Sequence, residues 1–294
     1  MLIQRLTIIG VGLIGGSLAR ALKRAGACGE VVGCGRNTTH LQQAIDLGVI
    51  DRYDTHPASA VKEADMVMLA VPLSTMAPLF AAIREALSPQ CIITDAGSAK
   101  ASVVADARQH LGQHLPRFVP GHPIAGTEKS GVVASFAELF ENRRVILTPL
   151  PETDSQAASV VAQMWEKTGA EVVNMSVAHH DDVLAATSHL PHLLAYSLVD
   201  TLATKDNRTE IFGFAAGGFR DFTRIASSDP RMWHDICVAN RDAILKVLEH
   251  FNHNLAQLAN AISKGDNQAI EDIFTRAKTA RDKFVQGTPG TKEQ

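Results

Sequence analysis

The chain has 294 residues, 46% of them hydrophobic and 20% charged, with a net charge of −3 at pH 7. That length fits two domains. The absence of a basic excess argues against nucleic acid or an anionic membrane as partner, and no apolar run approaches the ~20 residues of a membrane span.

The opening MLIQRLTIIGVG does not read as a signal peptide, because Gln4 and Arg5 interrupt it before a glycine motif. Residues 6–9 (LTII) are an apolar run, followed by glycines and then by residues 17–25 in helical pattern. Further apolar runs are 31–34 (VVGC), 66–71 (MVMLAV, ending at Pro72) and 91–94 (CIIT, ending at Asp95), with weaker ones at 145–147 and 172–173. Runs that are apolar throughout and separated by helices predict a parallel sheet covered on both faces. After about Ser176 such runs vanish. Across residues 232–262, Ile236, Ala239, Ala243, Val247, Phe251, Leu255, Leu258 and Ile262 recur at three or four residues. Ser228-Asp229-Pro230 supplies the start signal, a capping side chain and then proline in the first turn. A second helix is predicted over 266–284, with Ile270, Ile273, Phe274, Ala277 and Phe284 on one face.

The fold class expected is therefore an α/β Rossmann-type doubly wound parallel sheet over residues 1–175, followed by an all-α dimerisation domain over 176–286. Residues 287–294 (GTPGTKEQ) read as a disordered tail. The long helices call for a covering partner, and a homodimer is expected. Four scattered cysteines, Cys28, Cys34, Cys91 and Cys237, form no CxxC pair and read as reduced thiols of a cytoplasmic protein.

Gly10-Val11-Gly12-Leu13-Ile14-Gly15 fits G-x-G-x-x-G between a predicted strand and a predicted helix, the context the motif requires. Gly10 permits the tight turn, Gly12 the approach of a pyrophosphate, and Gly15 close packing of helix on strand. A dinucleotide phosphate then meets free N–H groups and the positive end of the helix dipole. An NAD site usually carries a carboxylate about 20 residues on, but Gly35, Arg36, Asn37, Thr38 and Thr39 stand there. Arg36 and Thr38 suit a 2′-phosphate, so the reading leans to NADP over NAD. The candidate cofactor contacts are Gly10, Gly12, Leu13, Ile14, Gly15, Arg36, Thr38, Val71, Pro72 and Ser98.

Two polar clusters interrupt the pattern, DAGSAK at 95–100 and GHPIAGTEKSG at 121–131. Ser98 follows a predicted strand at its carboxyl end, where ligands of open α/β sheets bind, and the loop holding His122 is expected to flank another. A dehydrogenase needs a base for the hydroxyl proton, and histidine suits that role. Ser98 also fits a cap for the helix that follows, and Arg224 fits an ion-pair partner of Asp221. His179, His180, His189 and His192 lack further ligands at recognised spacing, so no metal is expected. Asp181, Ala185, Ser188 and His192 are spaced to share a helix face.

Taken with GVGLIGGS at 10–17, SHLPH at 188–192 and GFRDFTRIASSDP at 218–230, these clusters closely resemble the prephenate/arogenate (cyclohexadienyl) dehydrogenase family of tyrosine biosynthesis. The resemblance runs from about residue 6 to 284. It implies NAD(P)-dependent oxidative decarboxylation of prephenate, arogenate or both, with tyrosine as a feedback inhibitor. It implies that His122 accepts the proton of the ring hydroxyl and that Ser98 orients this histidine beside the nicotinamide. Arg224 would bind a substrate carboxylate, Ser188 and His192 would meet the substrate, and Thr127 and Glu128 would shape the pocket mouth. Trp233 would reach the neighbouring subunit's site. The competing readings are another two-domain NAD(P) hydroxyacid or imine oxidoreductase, and a dinucleotide-sensing regulator without catalysis.

Overall fold

A computed structural model describes residues 1–287, so the expected disordered tail lies, apart from Gly287, outside the described residues. Six parallel strands form the main sheet: β1 (Ile3–Ile9), β2 (Cys28–Cys34), β3 (Arg52–Asp54), β4 (Met66–Leu69), β5 (Ile92–Asp95) and β6 (Phe118–Val119). Their order is β3-β2-β1-β4-β5-β6, with the direction of winding reversing between β1 and β4. Helices α1 (Leu13–Arg24), α2 (Thr38–Asp46), α3 (Pro57–Ala60), α4 (Met76–Ile83) and α5 (Ala101–His110) make or follow the crossovers.

The continuous apolar runs have their reason in this arrangement. Alternate strand residues face opposite sides, and both sides are covered. Leu6, Ile8, Met66 and Met68 join one core with Leu18 and Leu22 of α1. Ile9, Val67 and Leu69 join the other with Phe80 of α4 and Val103 of α5.

A second, three-stranded sheet was not expected. β7 (Gly121–Pro123) pairs antiparallel with β8 (Arg144–Leu147), which pairs parallel with β9 (Glu171–Asn174). Between β8 and β9 runs α6 (Ser155–Glu166), capped by Asp154 through the backbone N–H groups of Gln156 and Ala157. His122 thus stands on a strand, opposite Ile146, and not in a loop.

Helices follow: α7 (Val177–Leu184), a π-helical turn Ala185–His189, α8 (Leu190–Ala203), α9 (Arg208–Gly213), α10 (Gly217–Thr223) and α11 (Pro230–Ala239). Asp229 caps α11 by accepting from Arg231 and Met232, with Pro230 in the first turn as its sequence predicts. The apolar periodicity over 232–262 is broken at Asn240, whose buried side chain is recruited by groups distant in sequence.

The chain divides into two compact units, Met1–Arg241 and the residues from Asp242 onward. The second consists of α12 (Arg241–Lys264), which starts at the boundary, and α13 (Asn267–Gly287). Leu245, Leu255 and Ile262 on α12, and Phe274 and Phe284 on α13, are exposed in the single chain. No described helix is long and apolar enough to cross a membrane.

Candidate active site

Steric need separates the three glycines of the turn. Gly10 has φ +96°, and a Cβ there would lie 2.2 Å from the Ala70 carbonyl oxygen and 2.9 Å from Val71 Cγ1. A Cβ on Gly15 would lie 2.3 Å from the Gly10 carbonyl oxygen and 2.8 Å from Ile8 Cγ2. Both positions therefore require glycine for packing alone. Gly12 does not, because a Cβ there meets nothing within 4 Å. It opens α1 without a capping side chain, and no acidic residue stands in the first turn. Free N–H groups beside open space fit a dinucleotide pyrophosphate. Leu13 and Ile14 are half-buried beside it, and Val71 and Pro72 begin the loop after β4 that packs against Gly10. At the end of β2, Arg36 is exposed and makes no ion pair among the described residues. Thr38 opens α2, which Asn37 caps by accepting from the His40 N–H.

The second cluster is built around a buried ion pair. Lys100 and Asp95 have side chains with no solvent exposure and lie 2.5 Å apart. Lys100 Nζ donates to the Gly121 carbonyl at 2.6 Å, and Gly121 N–H donates to Asp95 Oδ1 at 3.1 Å. Gly97 N–H donates to Asp95 Oδ2 at 2.7 Å. Burial lowers the Lys100 pKa, and Asp95 opposes that shift. A buried pair gives little net stability; this one holds both backbone polar groups of the residue before His122.

His122 Nδ1 lies 2.9 Å from His180 Nε2, and His180 Nδ1 lies 2.7 Å from Asp181 Oδ1. Asp181 also accepts from the N–H groups of Lys100 and Ala101, each at 2.8 Å, and so caps α5 from a distant helix. Burial alone would raise its pKa. The His180 ring and the two N–H groups outweigh burial and hold it below the usual carboxylate value. An ionised Asp181 can only accept, so His180 keeps its proton on Nδ1 and donates it in this hydrogen bond. His180 Nε2 is then an acceptor, His122 must present Nδ1–H to it, and the lone pair of His122 remains on Nε2. Burial pushes His122 well below its usual 6.5, with His180 and Lys100 acting in the same direction, so the ring is neutral at physiological pH.

The substrate-side candidates form smaller groups. His192 stacks on Trp233, with ring centroids 3.7 Å apart at 21°, and its Nδ1 lies 2.8 Å from the Ser188 carbonyl. Arg224 pairs with Glu128 at 3.8 Å, both largely exposed, and not with Asp221. Thr127 accepts from the Lys129 N–H within an exposed loop. Ser98 is half-buried in the loop between β5 and α5 and does not cap that helix. The hydrogen-bonded partner of His122 is His180. The π turn interrupts the expected helix face: Asp181 and Ala185 are buried, whereas Ser188 and His192 are half-buried. Among the described residues, no group of three or more His, Cys, Asp or Glu side chains is placed to hold a metal.

Family comparisons give a direct result. Residues 18–174 match the prephenate dehydrogenase nucleotide-binding domain, and residues 176–276 match the prephenate dehydrogenase dimerization domain. The chain belongs to the prephenate dehydrogenase family. It is 42% identical to the cyclohexadienyl dehydrogenase of Zymomonas mobilis over 95% of each chain. It is 39% identical to the prephenate dehydrogenase of Bacillus subtilis over 96% of this chain and 75% of that one. The crystal structure of Aquifex aeolicus prephenate dehydrogenase in complex with hydroxyphenyl propionate and NAD+ superposes with a TM-score of 0.89 at 39% identity, covering 96% of this chain and 98% of that one.

Membership of this oxidoreductase family leaves several of the chain's own residues to be explained by geometry. Sequence reasoning missed Lys100, Asp95 and His180 as neighbours of His122, and missed Asn240 altogether. Asn240 Nδ2 donates to the Asp181 carbonyl at 2.9 Å and lies 3.1 Å from His189 Nδ1. The adjacent His180-Asp181 pair near the start of a helix was the one available signal, since an ionised carboxylate there can fix a tautomer.

Proposed function

We propose that this protein oxidatively decarboxylates prephenate, arogenate or both, with His122 as general base. The carrying observation is the tautomer chain from Asp181 through His180, which leaves His122 Nε2 as a free acceptor on the strand tied to the end of β5. A cyclohexadienyl substrate bears a hydroxyl and a hydrogen on one ring carbon and a carboxylate on the opposite one. His122 takes the hydroxyl proton as the C–H bond breaks. The nicotinamide of a dinucleotide bound at the glycine turn would supply the hydride acceptor. The bond to the ring carboxylate then breaks, carbon dioxide leaves, and its electron pair completes the aromatic ring. His122 returns the proton to the phenolate oxygen, giving 4-hydroxyphenylpyruvate or tyrosine. Arg224, with Ser188 and His192, is assigned to the carboxylates and side chain; planar guanidinium suits a carboxylate. Ser98 is assigned to the nicotinamide side, and Thr127, Glu128 and Trp233 to the pocket walls.

The cofactor assignment leans to NADP over NAD, supported by Arg36 just after β2, which has no ion pair among the described residues and stands where a carboxylate is lacking. The dinucleotide is assigned to residues 1–175, and the dimer contacts, with the substrate contacts of Ser188, His192, Arg224 and Trp233, to 176–286. A homodimer is supported by the exposed apolar residues of α12 and α13 and by the match to a dimerization domain. Tyrosine is assigned as an inhibitor at the substrate pocket. A cytoplasmic location is supported by four cysteines that are all unpaired.

The test is His122→Asn, followed through the absorbance of reduced nicotinamide with prephenate and with arogenate. kcat should fall about 10²–10⁴-fold, the usual worth of a general base, with KM little changed. An unaltered kcat removes His122 from the chemistry.

A further inference from the structure

The loop after β4 carries an interaction that the reaction scheme does not use. Its first residues pack on the glycine turn: Ala70 and Val71 are what a Cβ on Gly10 would strike. Four residues beyond Ala70, the Ser74 hydroxyl donates to Asp235 Oδ2 at 2.5 Å, and the Ser74 N–H points to the same oxygen at 3.3 Å. The two residues are 161 positions apart. Ser74 is exposed, whereas Asp235 is 8% exposed, with its other oxygen 3.1 Å from His234 Nδ1. The Ser74 hydroxyl, with His234 adding to it, holds the Asp235 carboxyl below the usual carboxylate range, so it accepts as an anion. Such bonds are about twice as strong as neutral ones.

Asp235 sits on α11, two positions after Trp233. Two residues on a helix are about 200° apart, so these side chains leave α11 on opposite sides. Asp235 grips the loop after β4, and Trp233 stacks on His192 of α8. A single rigid helix therefore stands between the dinucleotide turn and a ring assigned to the substrate.

We propose that Ser74 and Asp235 are positioning residues that latch the dinucleotide loop to α11 and thereby couple cofactor binding to substrate binding. The proposal rests on the cofactor and substrate assignments made above. A dinucleotide that orders the loop after β4 fixes Ser74, hence Asp235, hence the Trp233 face against His192. Neither Ser74 nor Asp235 needs to touch either ligand for this effect. By linkage, the substrate must tighten the dinucleotide by the same factor.

The experiment is calorimetric titration of the full-length protein with 4-hydroxyphenylpropionate, with and without saturating NAD+ or NADP+. In the unaltered protein the dinucleotide should tighten the analogue by about fivefold or more, the ordinary range for such coupling. In Ser74→Ala and in Asp235→Ala this ratio should fall to within twofold of one, while Kd for the dinucleotide alone changes less than threefold. Ser74→Thr, which keeps the hydroxyl, should restore the ratio. A purely structural role would lower Tm and leave the ratio intact, and that result overturns the proposal. A ratio near one in the unaltered protein also overturns it. Failure to bind either dinucleotide would instead refute the cofactor assignment.

Discussion

Replacing Asp181 with asparagine tests how the base is set. The carboxylate is 5% exposed and accepts from Lys100 N–H, Ala101 N–H and His180 Nδ1 at 2.7–2.8 Å. Asparagine keeps the volume, removes the charge and turns one oxygen into a donor. If its oxygen stays toward Lys100 and His180, its NH2 faces the Ala101 N–H. The cap bond to the Ala101 N–H is then broken and that backbone donor is left without a partner, at about 1–3 kcal/mol. A neutral acceptor on His180 also loses about half the strength of a charge-assisted bond, about 1.5 kcal/mol, which is about tenfold in rate when the His122 imidazolium forms. If the amide is turned the other way, NH2 faces His180 Nδ1. His180 then carries its proton on Nε2, His122 is forced to protonate on its own Nε2, and the base is lost, about 10²–10⁴-fold. Both orientations give a kcat reduced by about tenfold or more with KM nearly unchanged. Stability should fall by about 1–3 kcal/mol, a Tm decrease of about 2–5 °C for a chain of this length. Steady-state kinetics and calorimetry measure the two effects. A folded Asp181→Asn protein with kcat within threefold of the unaltered enzyme would refute the tautomer argument.

The glycine turn separates packing from binding. Gly12→Ala should leave Tm unchanged yet weaken the dinucleotide by about tenfold or more, because the added methyl enters only the open space; Gly10→Ala should destabilise the fold, since it meets the Ala70 carbonyl at φ +96°. Equal Tm losses in the two variants would count against this division. Arg36→Ala should lower kcat/KM for NADP+ about tenfold and leave NAD+ within threefold, and equal losses for both cofactors would remove Arg36 from the 2′-phosphate. Stability should fall in acid. Burial pushes His189 down to about 4, so below about pH 6.5 the unfolded chain binds a proton that the native chain refuses. The loss is about 1.4 kcal/mol per pH unit, about 3 kcal/mol by pH 4, and His122 adds to it in the same direction. Urea denaturation at pH 7, 6 and 5 reads this directly, and stability that is flat across that range would contradict it.

Local pattern carried much of the fold. The runs at 66–71 and 91–94 are apolar throughout because their strands are covered on both faces, and that is visible without coordinates. The cap and proline at 229–230 are equally local, since both act on the turn that follows them. β7 was not legible: Gly121-His122-Pro123 has no strand composition, and it pairs because Asp95 and Lys100 grip Gly121 and β8 lies alongside. The break at Asn240 was hidden for a similar reason. Apolar spacing continues through it, while the side chain that ends the helix is drawn to Asp181 and His189.

The sequence by itself determined the glycine turn and the parallel sheet and singled out His122 as the candidate base, because each is written in consecutive residues whose chemistry is short-ranged. Only the tertiary structure decided which groups surround that histidine. His180 comes within 2.9 Å across 58 residues, and Asp181 reaches α5 across 80, distances that no spacing rule spans. Burial then sets the protonation state. His122 is neutral at physiological pH because the folded chain has removed water from it and placed other basic groups around it.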